Sequence, residues 1–230
     1  MDHAGHGLSE GERAYVRDVE ELAADVLFLA RRLKRRHADL PLLLYGHSMG
    51  GAVAVVAAAA AAAAEQKTEL FRGVYLEAPL IALHPHTGAP WKRMVGKLLG
   101  WLPKLRLPST KLDQNRITRT PHLHALWKSD DKFFHGQTQV GTGLAMMQAE
   151  EHIEQLLATK RITFPFFIAT GDDDIACDYR AALSFYERAA SAEKRLKVYP
   201  GMTHTLRFDS EEAVPDMIAY FEERVGKKAA

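Results

Sequence analysis

The chain has 230 residues, of which 47% are hydrophobic and 26% charged, the composition of one ordinary globular domain. Thirty basic residues against 29 acidic ones leave a formal charge of +1, so no global field recruits nucleic acid. One cysteine excludes an internal disulfide and fits a reducing, cytoplasmic setting, and the first residues carry neither the basic nor the apolar region of a secretion signal.

Val16, Val19, Leu22, Val26, Leu29 and Leu33 recur every three or four residues, which predicts a helix from about Ala14 to Arg36 with one buried face. Leu42-Leu43-Leu44-Tyr45, opened by Pro41 and closed by Gly46, reads as a strand covered on both sides. The alanine-rich run 52–64 follows as a helix, since alanine is the strongest helix former. The longest apolar stretch, 50–64, is 15 residues, short of the roughly 20 that a membrane span needs. Further strands are expected at 73–76, within 161–171 and at 196–199, with helices at about 178–192 and 211–225. Strand alternating with helix implies an α/β fold, a mostly parallel sheet with helices on both faces. Residues 79–160 break the rhythm, with several prolines and no convincing strand. They divide the chain into a first core part (1–78), a helical cap insertion (79–160) and a second core part (161–230).

Gly46-His47-Ser48-Met49-Gly50 lies between an apolar strand and a helix pattern. That setting is what a nucleophile elbow needs, because a sharp strand–turn–helix junction lifts the serine hydroxyl clear of the sheet. A serine attacks well only when a histidine takes its proton and a carboxylate orients the histidine. In this architecture the partners follow in the order acid, then histidine. Gly171-Asp172-Asp173-Asp174 closes the strand that ends near 170, at the edge where such sheets place their sites. Of eleven histidines only His204 follows that cluster, so chain order selects it, whereas chemistry alone leaves three aspartates open.

These residues carry a resemblance to the monoacylglycerol lipase branch of the α/β-hydrolases, which overlaps the serine aminopeptidase S33 family. It is borne by 2–11 (Asp-His-Ala-Gly-His-Gly-Leu-Ser-Glu-Gly), Gly46 to Gly51, Gly171 to Asp178 and Tyr199 to His204, and runs from Asp2 to about Val225. The resemblance implies Ser48 as nucleophile, His204 as base and Asp174 as acid, the family placing the acid three residues after the glycine. It implies a serine ester hydrolase acting on monoacylglycerol or a similar single-chain lipid ester, a chemistry that needs no cofactor. A lysophospholipase, a general carboxylesterase or a non-catalytic fragment are the alternatives. It also implies that a first quarter of the family's domain is missing before Asp2, with its strands and one oxyanion donor, leaving the Met49 N–H. Trp127 stands where relatives carry a polar aromatic near the glycerol end of the substrate, and Arg207 where they carry a second histidine.

Three further signals come from the residues themselves. Cys177, three residues after Asp174, reads either as a thiol facing the substrate or as a small buried hydrophobe. Trp91, Met94, Val95, Leu98, Leu99 and Leu102 lie at helical spacing among Lys92, Arg93, Lys97, Lys104, Arg106 and Lys111. Such a basic amphipathic segment suits peripheral contact with an anionic membrane, through Trp91, Lys92, Arg93, Leu98 and Leu99, and equally a lid over the site. His84-Pro85-His86 and His122-Leu123-His124 lack the helical spacing of a zinc pair.

Overall fold

The computed structural model describes residues 1–64, 70–106 and 113–226. Four parallel strands, β1 (Leu43–His47), β2 (Gly73–Glu77), β3 (Phe166–Gly171) and β4 (Lys194–Tyr199), form one sheet in the order of the chain. β2 and β3 are buried along their whole length, while β1 and β4 are the half-covered edges.

The two-residue period of a strand sorts the core into two layers. Val74, Leu76, Phe166 and Ile168 face a large core that also takes in α1 (Val19–Arg36), α2 (Met49–Ala64), α6 (Val140–Ala158) and α7 (Tyr179–Arg188). Tyr75, Phe167 and Ala169 face a smaller one closed by α8 (Leu206–Asp209) and α9 (Ala213–Gly226). The alanine run has a packing reason: Ala52 to Ala59 are all buried on α2, which lies between the sheet, α1 and α6. Only small side chains let three elements approach one helix so closely.

The first helix starts later than its apolar spacing predicts. Asp18 caps α1 by accepting from Glu20 N, while Val16 N donates to Thr142 Oγ1 and Ala14 takes a positive φ of 58°. Val16 is therefore buried as part of a loop tied to α6, and a short-range period cannot distinguish that from a helical turn.

Between β2 and β3 lie α3 (Pro90–Leu98), α4 (Gln114–Ile117), α5 (Pro121–Ser129) and α6. Of these, α6 contributes Ala145, Ala149, Ile153, Leu156 and Leu157 to the main core, whereas α3 buries no residue at all. Among the described residues no helix is long and apolar enough to cross a membrane.

Candidate active site

β1 runs into Ser48, which sits at φ 56°, and α2 begins at the next residue. A non-glycine residue in this left-handed region is strained by about 1–3 kcal/mol and needs its surroundings to hold it. The Ser48 carbonyl accepts from Gly51 N (2.8 Å) and Leu80 N (2.9 Å), and Ser48 N donates to Glu77 O (3.1 Å). Two glycines near the turn are required by space, whereas Gly50, the second glycine of the motif, is not: a Cβ on Gly46 would lie 2.5 Å from Gly50 O, and one on Gly51 would lie 2.6 Å from Pro79 Cβ. Met49 opens α2, so its N–H has no intrahelical acceptor and faces the helix's positive end.

Asp174 lies in the turn after β3, fully enclosed. One carboxylate oxygen accepts from Ala176 N (2.7 Å) and Cys177 N (3.0 Å), and the other meets His204 Nδ1 at 2.7 Å. Asp172 and Asp173 are exposed and do other work: Asp172 accepts from Gly201 N, and Asp173 pairs with Arg119. The three aspartates that chemistry left open thus differ in burial and partner.

His204 is held from both sides. The His47 ring stands 4.8 Å from the His204 ring, and His47 Nε2 donates to the His204 carbonyl at 3.1 Å. Burial, reinforced by the neighbouring His204, lowers the His47 pKa to about 4 and keeps it neutral. The hydrogen bond therefore assigns its proton to Nε2. Cys177 is buried beside the Ser48 hydroxyl, and its thiol lies within 4.8 Å of the facing His204 and Asp174 atoms. Burial first, and the Asp174 charge second, push that thiol well up, so it is a poor nucleophile.

The remaining predicted positions are spread more widely. Arg207 lies over Tyr45 and Phe208, hydrogen-bonds the Tyr45 hydroxyl, and pairs with the buried Glu77 at 3.6 Å. Trp127 stacks on Phe133, 5.5 Å between ring centres, in an aromatic group with His124. On α3, Trp91 and Leu98 are 53% and 67% exposed, with Lys97 beside them. Arg93 instead turns inward, its guanidinium bidentate on Glu150 at 2.7 and 3.1 Å. Lys92 reaches back to His86 O, and Leu99 is half-buried. Lys111 lies outside the described residues.

A cavity of about 260 Å³ opens between α3, α6 and the acid loop, lined by Leu83, Val140, Leu144, Met146, Met147 and Ile175, among others. Leu83 bridges to Cys177 and Ile175 follows Asp174, so this largely apolar space lies next to the acid loop. Sequence reasoning did not identify His47 or Glu77 as supports; the first was hidden in the variable position of the motif.

The serine aminopeptidase S33 family matches residues 1–211. The rat monoglyceride lipase is 33% identical over 218 residues, covering 94% of this chain and 69% of that protein. The monoacylglycerol lipase of Mycolicibacterium smegmatis is 32% identical, covering 92% of this chain and 72% of that protein. A soluble variant of the Saccharomyces cerevisiae monoglyceride lipase, solved with a substrate analogue, superimposes with a TM-score of 0.81 at 25% identity, covering 98% of this chain and 77% of that one. With an elbow serine, a buried carboxylate–imidazole pair and these likenesses together, the chain has the α/β-hydrolase fold and belongs to the serine aminopeptidase S33 family.

Proposed function

We propose that this protein is a serine ester hydrolase that cleaves monoacylglycerol, or a similar single-chain lipid ester, to fatty acid and alcohol. The reading is carried by the 2.7 Å Asp174–His204 contact, enclosed beside a serine held at φ 56°. Ser48 attacks the ester carbonyl while His204 takes its proton and then returns it to the leaving alcohol. Asp174 holds the imidazole with its Nδ1–H inward, leaving Nε2 free to act. The Met49 N–H, at the positive end of α2, stabilises the oxyanion of the tetrahedral intermediate. Water then repeats the cycle on the acyl-enzyme, and no step calls for a cofactor. The monoglyceride lipases among the relatives support the substrate class, and the apolar cavity beside Ile175 suits an alkyl chain.

In this reading residues 79–160 act as a cap whose outer helix, α3, offers Trp91 and Leu98 with neighbouring lysines to an anionic lipid surface. Arg93 belongs to the inner face of that helix and anchors it to α6.

Labelling with a fluorophosphonate probe, beside Ser48→Ala and His204→Ala, tests the assignment. Labelling of the wild type that both substitutions abolish supports it, and a folded wild type that does not label overturns it. Turnover of monoacylglycerol, lysophospholipid and aminoacyl amides side by side then fixes the head group.

A further inference from the structure

Asp209 closes α8, the short helix after the loop that carries His204. Its two carboxylate oxygens face different parts of the chain. Oδ1 accepts from Thr118 Oγ1 (2.9 Å), Arg119 N (3.0 Å) and Thr120 Oγ1 (2.8 Å), all from the segment joining α4 to α5. Oδ2 accepts from Thr203 Oγ1 (2.5 Å) and Thr205 Oγ1 (3.0 Å), the residues on either side of His204. Thr203 and Thr205 also lie near Ile117 O, at 3.0 and 3.2 Å. A hydroxyl has one proton to give, and a charged acceptor at the shorter distance takes it. Thr118, Thr203 and Thr205 are buried, so these hydroxyls have no water to replace the carboxylate.

We infer that Asp209 is a positioning residue, a two-sided clamp that locks the α4–α5 segment onto the loop carrying His204. One oxygen gathers the cap and the other gathers the histidine loop, so a shift of either is transmitted to the other through a single rigid carboxylate. Thr203 and Thr205 bracket the histidine, and the clamp thereby fixes the direction from which the imidazole reaches Ser48. The burial cost of the carboxylate is outweighed by these donors, which hold its pKa below the usual aspartate value.

This inference rests on His204 acting as the base, and the experiment separates the two. Asp209→Ala is compared with Asp209→Asn by turnover of p-nitrophenyl butyrate and by amide hydrogen exchange. Asparagine keeps an acceptor for the cap donors, and its amide N–H groups can donate to threonine hydroxyls that turn to accept. Asp209→Ala is expected to lower kcat about tenfold with KM within about twofold, and Asp209→Asn to recover most of the loss. Exchange should rise together at 117–120 and 203–206 in the alanine variant. Unchanged kcat, or an asparagine variant as poor as alanine, overturns the clamp. If the alanine variant does not fold, Thr118→Val combined with Thr120→Val removes only cap-side donors. Faster exchange that reaches 203–206 then supports the clamp, and faster exchange confined to 117–120 overturns it. A wild type that fails to react with fluorophosphonate overturns the triad reading, while the exchange result still decides the clamp.

Discussion

Gly171 ends β3, in register with Tyr199 of β4, three residues before Asp174. Its φ is not in the left-handed region, so its backbone would tolerate alanine; space would not. A Cβ there would stand 2.1 Å from Met202 O, 2.6 Å from Met202 C and 2.9 Å from Thr203 O. The closest contact a real Cβ tolerates is about 3.0 Å, so the Met202 carbonyl has to retreat by roughly 1 Å. That carbonyl is two residues from His204 and also accepts from Asp173 N (3.1 Å), while Asp174 is held by Ala176 N and Cys177 N, so the carbonyl's retreat strains the junction between the acid and histidine loops. The 2.7 Å contact between acid and histidine is expected to lengthen, and misplacement of about 1 Å lowers turnover about 100-fold. Overpacking at a buried site also removes about 1–3 kcal/mol of stability. The assay is kcat/KM on p-nitrophenyl butyrate with denaturant unfolding on the same samples. Gly50→Ala is the control inside the motif, because nothing lies within 4 Å of its added Cβ. It should turn over as the wild type does and be no less stable. A folded Gly171→Ala protein with turnover within threefold of wild type would refute the steric argument.

Asp174→Asn should keep the fold and lose about 10⁴ in kcat. The Ala176 and Cys177 amides claim its oxygen, so its NH₂ faces His204 Nδ1 and enforces the tautomer that cannot take a proton at Nε2; kcat above a tenth of wild type would contradict this. His47, near pKa 4 when folded and about 6.5 when unfolded, binds fewer protons in the native state. Its contribution is complete above about pH 6.5 and is lost as pH falls toward 4, a loss of about 3 kcal/mol in unfolding free energy. His47→Gln keeps a donor for His204 O and should flatten that slope, and parallel pH profiles for the two proteins would rule the assignment out. Trp91→Ala with Leu98→Ala should weaken binding to vesicles of anionic lipid without changing turnover of a soluble ester, and unchanged vesicle binding would remove α3 as the contact.

The legible parts of the sequence were those in which one segment carries both pattern and chemistry. β1, Ser48 and α2 are contiguous, so a strand, a turn and a helix in succession were enough to mark the elbow. Chain order alone singled out His204, whose ring the structure sets against Asp174. Asp174 needed the family resemblance, because the burial that distinguishes it from Asp172 and Asp173 depends on a loop 30 residues further on. What could not be read were contacts made across long separations. Arg93 has the spacing of a surface cation, yet it points to Glu150, 57 residues away. Arg207 is claimed by Glu77 across 130 residues, and Asp209 by threonines 89 and 91 residues before it. Nothing local marks a carboxylate whose donors come from two distant segments.

The order of the strands has a consequence for synthesis. Since β1 to β4 pair in the sequence in which they leave the ribosome, each new strand finds its neighbour already made. The serine is laid down on the first of them and its histidine follows the last. A growing chain can thus pair β1, β2 and β3 before the loop that carries His204 has been made. The buried contact between Asp174 and His204 is therefore among the last to form, closing only when the final strand has docked.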